Sequence, residues 1–368
     1  MFLFLFVNGF SQSSTLNGAS IGAQKSGDPL SSFSFGLQGT FHHGAILPHR
    51  KEVNEIVEGH TSGVELSVLK ATIGKKRWQQ LYQLPQVGIS ALAINLGNPN
   101  ELGFGYGLFP FVVLPITQHK INWNIKIGYG LGVIEKPFHK KENNKNVAIG
   151  SHLNAIIYFN SMLNLQLVKE LAFSAGVSFL HYSNGSSARP NLGINILSLT
   201  SGLRYTFGKK EVFTQEIFSE SAFAWNNKVT LGMATKEVSP IDGPQYWVST
   251  LSFNRMKSRT EKSSFGFSAD LFYNSSLSDL MARDSSITSS GLDNFRVGII
   301  GLYSFDFGKV SVLLGAGAYV YSKYKDNGVV YNKLETRYWV SDQLFLRLGV
   351  KTHLVSADFV EYGIGYKF

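Results

Sequence analysis

Apolar and polar residues alternate along this chain with a period of two. From Ile121 to Val133 every odd position is apolar (Ile121, Trp123, Ile125, Ile127, Tyr129, Leu131, Val133), and the even positions are Asn122, Asn124, Lys126, Gly128, Gly130 and Gly132. A helix would scatter these residues around its axis, whereas a strand puts one set on each face. The split recurs where Leu171, Phe173, Ala175, Val177 and Phe179 oppose Ala172, Ser174, Gly176 and Ser178, and where Leu344, Leu346, Leu348 and Val350 oppose Phe345, Arg347, Gly349 and Lys351. A secreted β-sandwich would have to bury the Trp and Ile face and give the Gly, Asn and Lys face to water. Over many strands of about ten residues, an outward apolar band around a polar lumen fits better, the pattern of a transmembrane antiparallel β-barrel.

Turn residues divide the alternation into candidate strands at 31–46, 60–73, 86–96, 101–114, 121–134, 148–160, 170–183 and 194–207. A second series falls at 228–238, 245–257, 263–274, 294–306, 309–322, 330–340, 343–354 and 356–368. Each half thus offers eight. Val360, Tyr362, Ile364, Tyr366 and Phe368 share one face at the end of the chain. This resembles the closing strand of bacterial outer-membrane barrels, whose terminal Phe implies the barrel-assembly machinery as a partner of Phe368. Leu203, Tyr205 and Phe207 end the eighth strand in the same way, and 209–227 lacks alternation and reads as a linker. Two closing-type strands favour two eight-stranded barrels in series, over 31–208 and 228–368, against one barrel of about 14 to 16 strands. A faint echo between the halves, Gly317-Ala318-Tyr319-Val320 against Gly128-Tyr129-Gly130-Leu131, is consistent with duplication.

Composition agrees. Charged residues make up 16% of the 368, with 37 Gly and 28 Phe, and this low charge argues against an ordinary cytosolic enzyme. Met1–Val7 is the apolar part of a secretory signal without a basic start, so 1–12 reads as a signal-peptide remnant and 13–30 as an N-terminal segment. No other apolar run approaches the roughly 18 residues of a spanning helix. The absence of Cys excludes a disulfide scaffold and Cys-ligated metal, and the scattered His argue against a metal site. The net charge of +9 suits nucleic acid or an anionic membrane surface, but no RNA-binding signature accompanies it in a chain that looks exported. If the N-terminal end is periplasmic, the charged loops Lys136–Asn146, Asp279–Asp293 and Lys323–Asn327 are extracellular. A basic loop such as 136–146 also suits a surface-binding protein.

One segment interrupts the greasy face. His181 and Ser183, two apart in a strand, share the apolar side. Asn195 shares a face with Leu197, Leu199 and Leu203, and a hairpin loop over 184–193 brings it beside the other two across the ladder. A His beside a Ser is the minimal activated nucleophile, with a third polar group to hold the ring in the right tautomer. Where the chain turns after Ser183, the Asn184 side chain or a backbone amide at Asn184 or Gly185 could stabilise an oxyanion. The bland alternative is a set of polar residues resting at headgroup level.

The segment His181-Tyr182-Ser183-Asn184 resembles the motif of the lipid A 3-O-deacylase family, outer-membrane barrels also called acyloxyacyl hydrolases. The resemblance implies a serine esterase that removes the ester-linked acyl chain at the 3-position of lipid A. Ser183 would be nucleophile, His181 base, Asn184 and Gly185 support, and no metal or organic cofactor would be needed. It implies the outer membrane as location and lipid A, within lipopolysaccharide, as partner. One position departs: the family's third residue is Glu, and here it is Asn195, which accepts a hydrogen bond but brings no charge. Lower activity, a different orienting acid or loss of activity would follow, and no Asp or Glu lies between Glu170 and Glu211. The second half lacks an equivalent site, since His353 points inward with Arg347 and Lys351 and is followed at plus two by Val355. A barrel without catalysis, acting as a pore or structural protein with a degenerate site, is the alternative.

Overall fold

A computed structural model describes residues 31–117, 121–213, 224–239, 241–284, 291–325, 328–354 and 356–368. The signal-peptide and N-terminal-segment expectations for 1–30, and most of the linker, lie outside the described residues. Eight strands form a first antiparallel barrel: β1 (Ser31–Ile46), β2 (Thr61–Ala71), β3 (Gln86–Asn95), β4 (Phe104–Pro115), β5 (Ile121–Ile134), β6 (Leu153–Val168), β7 (Leu171–Ser183) and β8 (Ile194–Val212). Eight more form a second: β9 (Trp225–Glu237), β10 (Gln245–Thr260), β11 (Ser263–Asn274), β12 (Phe295–Phe307), β13 (Val310–Tyr321), β14 (Val330–Trp339), β15 (Leu344–His353) and β16 (Ser356–Lys367). β1 closes on β8 and β9 closes on β16, so the single barrel of more strands is excluded.

Several boundaries differ from the sequence expectation; β6 ends at Val168 rather than 160. β6 begins at Leu153 rather than 148, because Ala148 and Ile149 bury themselves in the preceding loop, where Ile149 bridges to Asn191. β8 runs on to Val212 and β9 starts at Trp225, so both strands extend into the stretch expected as linker. β8 gains its extra length by pairing with the beginning of β1.

Burial is inverted relative to a soluble protein. Leu199 is 69% exposed, Leu66 62% and Tyr362 66%, whereas Glu65, Ser67 and Ser90 are fully buried. Only a hydrocarbon solvent makes that arrangement favourable, and the apolar outer band with a polar interior is that of a transmembrane barrel. Side chains fill each lumen, as eight strands require. In the first, Lys126 pairs with Glu65, which also faces His42 Nε2 at 3.2 Å. In the second, Arg347 pairs with Glu335 (2.6 Å) and Glu361, and Lys351 with Asp358 (2.6 Å). These filled interiors are packed cores, not channels. Loops at one end, such as 47–60, 135–152, 184–193 and 275–294, are longer than the turns 169–170, 261–262 and 308–309 at the other. Outer-membrane barrels carry their long loops outside, which makes the first group extracellular.

The barrels touch at both ends. On the periplasmic side the short helix Arg77–Leu81 meets two turns of the second barrel: Arg77 Nε donates to Glu261 (2.7 Å), and Tyr82 stacks on Phe307 at 4.5 Å while its hydroxyl donates to the Lys262 carbonyl (3.1 Å). Burial pushes the Tyr82 hydroxyl well above its ordinary pKa. On the extracellular side the 184–193 loop leans on the mouth of the second barrel.

Candidate functional site

Strand parity places His181 and Ser183 on the outer face at the extracellular end of β7. Tyr182 between them points inward and is fully buried in the lumen. The β7–β8 register pairs His181 with Asn195 directly, and His181 Nδ1 lies 2.6 Å from Asn195 Oδ1. A carbonyl oxygen only accepts, so Nδ1 carries the proton and donates it. All three outward residues are half-buried.

Ser183 is held on the loop side. Its Oγ receives hydrogen bonds from Asn191 Nδ2 (3.0 Å) and from the Gly185 amide (3.2 Å), and among the described residues no hydrogen bond joins it to His181. Asn184 is buried, and its Nδ2 donates to Ser151 Oγ (2.9 Å) and the Ala188 carbonyl (2.9 Å). Its backbone amide donates to Asn191 Oδ1 (3.0 Å). Asn184 therefore spends its donors on loop structure, and Gly185 supplies the amide beside Ser183.

Two residues to which the sequence assigned no role complete the cluster. Asn191 spans Ser183 and the Asn184 amide. His49 reaches over from the β1–β2 loop, where the β1–β8 ladder continues through Leu47 N to the Asn195 carbonyl (2.8 Å); Asn195 Nδ2 donates to His49 Nδ1 (2.9 Å), and His49 Nε2 donates to the Leu192 carbonyl (2.9 Å). The signal for His49 was barrel closure, which brings the first hairpin loop beside the last.

Two glycines are required here. Gly193 has φ +82°, and a Cβ on it would meet His181 Cε1 at 2.9 Å. Gly185 has φ +63°, and a Cβ there would come within 2.2 Å of Val360 Cγ2 of the second barrel. Around Gly185 the second barrel grips the loop. The Glu237 amide donates to the Ser186 carbonyl (2.9 Å), Glu237 Oε2 accepts from the Arg189 amide (2.8 Å), and Ser186 Oγ donates to the Ala357 carbonyl (2.8 Å). Glu237 is 4% exposed.

Two family profiles match this chain. The one described as "Lipid A 3-O-deacylase (PagL)" matches residues 62–204, and "Acyloxyacyl hydrolase, C-terminal domain" matches 225–368. The first barrel belongs to the lipid A 3-O-deacylase family, and the second matches the C-terminal domain of acyloxyacyl hydrolases. That family is one of ester hydrolases in the bacterial outer membrane, and the outer membrane is where this protein resides. Among solved structures, "Crystal structure of the outer membrane enzyme PagL" is 20% identical, covering 45% of this chain and 97% of that one, with a TM-score of 0.31. A BenF-like porin from Pseudomonas fluorescens Pf-5 is 9% identical over 92% of this chain and 98% of its own, with a TM-score of 0.21. No curated protein sequence matches.

Glu237→Ala is expected to loosen this loop. It removes a charged acceptor from a partly buried amide, a loss of about 1.5–3 kcal/mol locally. Hydrogen exchange should show lost protection at the Arg189 amide with the strands of both barrels unchanged; unchanged exchange at Arg189 would refute the brace.

Proposed function

We propose that this protein is an outer-membrane serine esterase that removes the ester-linked acyl chain at the 3-position of lipid A. Ser183 is the nucleophile, His181 the general base, and Asn195 the group that orients it. The observation that carries this reading is the 2.6 Å hydrogen bond from His181 to Asn195 on the outer wall, near the extracellular rim. A lipid headgroup in the outer leaflet lies at that height, with its acyl chains along the apolar band.

In the reaction, Ser183 Oγ leaves Asn191, turns toward the imidazole and attacks the acyl carbonyl while its proton passes to His181 Nε2. The tetrahedral oxyanion takes up the hydrogen bond of the Gly185 amide. His181 returns the proton to the leaving sugar hydroxyl, and water, deprotonated by the same imidazole, hydrolyses the acyl-serine to release the fatty acid. Asn195 holds the ring without neutralising the imidazolium, so the expected turnover is below that of a Ser-His-Glu site.

The test is mass spectrometry of lipid A from cells carrying folded protein in the outer membrane. Its lipid A should be lighter by one ester-linked acyl chain than that of cells with an empty vector. An identical spectrum would overturn the proposal.

A further inference from the structure

We propose that His49 is a positioning residue that makes an asparagine workable where the family has a carboxylate; the inference rests on the esterase reading above. A carboxylate presents an acceptor whichever way it is turned. A carboxamide is two-faced, with an acceptor on one side and a donor on the other. If the Asn195 amide were flipped, its NH2 would meet His181 Nδ1, the imidazole would have to carry its proton on Nε2, and the lone pair that takes the serine proton would be gone. An Asn at this position therefore serves only if something outside the site fixes its flip.

The fixed point is a backbone carbonyl. Leu192 O can only accept, so the His49 nitrogen facing it at 2.9 Å, Nε2, carries a hydrogen. In the neutral ring Nδ1 is then a bare lone pair, so the Asn195 atom facing it at 2.9 Å has to be the NH2 group. That turns Oδ1 toward His181, where it accepts from Nδ1 at 2.6 Å. His181 is left with its lone pair on Nε2, the side needed for general-base catalysis. One carbonyl thus sets, through two side chains, the tautomer of the base. Leu192 belongs to the same hairpin loop as Asn191, so the relay is anchored in the loop that holds Ser183.

The experiment is kinetics of purified full-length variants on lipid A at a pH where imidazole is neutral, with His49 varied in both Asn195 and Asn195→Asp backgrounds. In the Asn195 background His49→Gln, whose amide can offer an acceptor, should retain most of kcat. His49→Ala frees the flip and should lower kcat about five- to tenfold with KM little changed, as the competent population falls. His49→Lys presents only donors, draws Oδ1 away from His181 and should lower kcat by about 10²-fold. With Asn195→Asp the series flattens: the carboxylate has no wrong face, so His49→Ala becomes nearly silent and His49→Lys, now paired with a carboxylate, is harmless.

A merely structural role for His49 predicts equal losses in both backgrounds, and that result overturns the inference. So does a His49→Lys variant as active as the parent beside Asn195. If Ser183→Ala is fully active, the esterase reading itself fails; if Ser183→Ala is dead and the His49 series is flat, this inference fails alone.

Discussion

Ser183→Ala should lower lipid A deacylation by the purified protein by at least about 10³-fold while leaving both barrels folded. In the proposed mechanism the substitution removes the oxygen that forms the acyl-enzyme, and the other members of a nucleophile–base–orienting set do little without it. Ser183 is half-buried on the outer wall, and its loss costs three hydrogen bonds with the loop: those accepted from Asn191 Nδ2 and the Gly185 amide, and the one donated to Asn191 Oδ1 (3.3 Å). Each such bond is worth about 1 kcal/mol, far below what would unfold a sixteen-strand chain. The variant therefore separates chemistry from folding. The check is turnover on micellar lipid A, with the shift in gel mobility between heated and unheated samples as the measure of folded barrel. Activity within tenfold of the parent, with the barrels folded, would remove Ser183 from the role of nucleophile.

Most of the fold was readable because a membrane barrel obeys one rule on every strand. Lipid outside and a polar lumen inside force period two, so Leu197, Leu199 and Leu203 announce the outer face as clearly as Ser198 and Thr200 announce the inner one. Where the rule was broken, a loop had borrowed apolar residues for its own packing. Ala148 and Ile149 read as the start of a strand, but Ala148 accepts from the Gly193 amide (2.9 Å) and Ile149 bridges to Asn191, so both serve to seat the β7–β8 loop. The meeting of His181 with Asn195 was readable for the same reason as the strands, since parity puts both on the outer face and the β7–β8 ladder pairs them directly.

Loop and closure contacts were not readable. Asn191 reaches Ser183 across a loop whose path depends on Gly185, Ser186 and Gly193, all with positive φ, and on an external grip by Glu237. His49 is 146 residues from Asn195 in the chain. The expectation of a side-chain donor from Asn184 to an oxyanion met a similar limit, because its two amide hydrogens are claimed by Ser151 and Ala188. The second barrel, which has no His-x-Ser of its own, contributes through such contacts: Val360 lies against Gly185, and Arg50, next to His49, donates to Ser356 Oγ (3.1 Å).

The lumen of the first barrel gives the largest expected effect on stability. Glu65 Oε1 accepts from Lys126, Ser90 Oγ (2.7 Å) and Ser67 Oγ (2.9 Å), and Oε2 faces His42 Nε2 at 3.2 Å. Lys126, 2% exposed, keeps the two serine hydroxyls and the faces of Phe111, Tyr158 and Phe109, at 3.8, 5.5 and 6.0 Å, but no counter-charge among the described residues when that carboxylate is removed. Glu65→Ala is therefore expected to destabilise the first barrel by about 3–5 kcal/mol, because it strands an ammonium in a closed interior. Adding Lys126→Met removes the stranded charge and fills the space with an apolar side chain of similar length, so the double variant should recover most of the loss. Urea unfolding in lipid vesicles, followed by gel mobility, measures both. His42 Nδ1 also lies 3.2 Å from Ser178 Oγ on β7, three residues before His181, so the same variants test whether the lumen network tunes the site. Activity per folded molecule should stay unchanged, since Ser178 and His181 lie on opposite faces of the strand. A Glu65→Ala barrel as stable as the parent would mean that the buried pair contributes nothing to holding the lumen together.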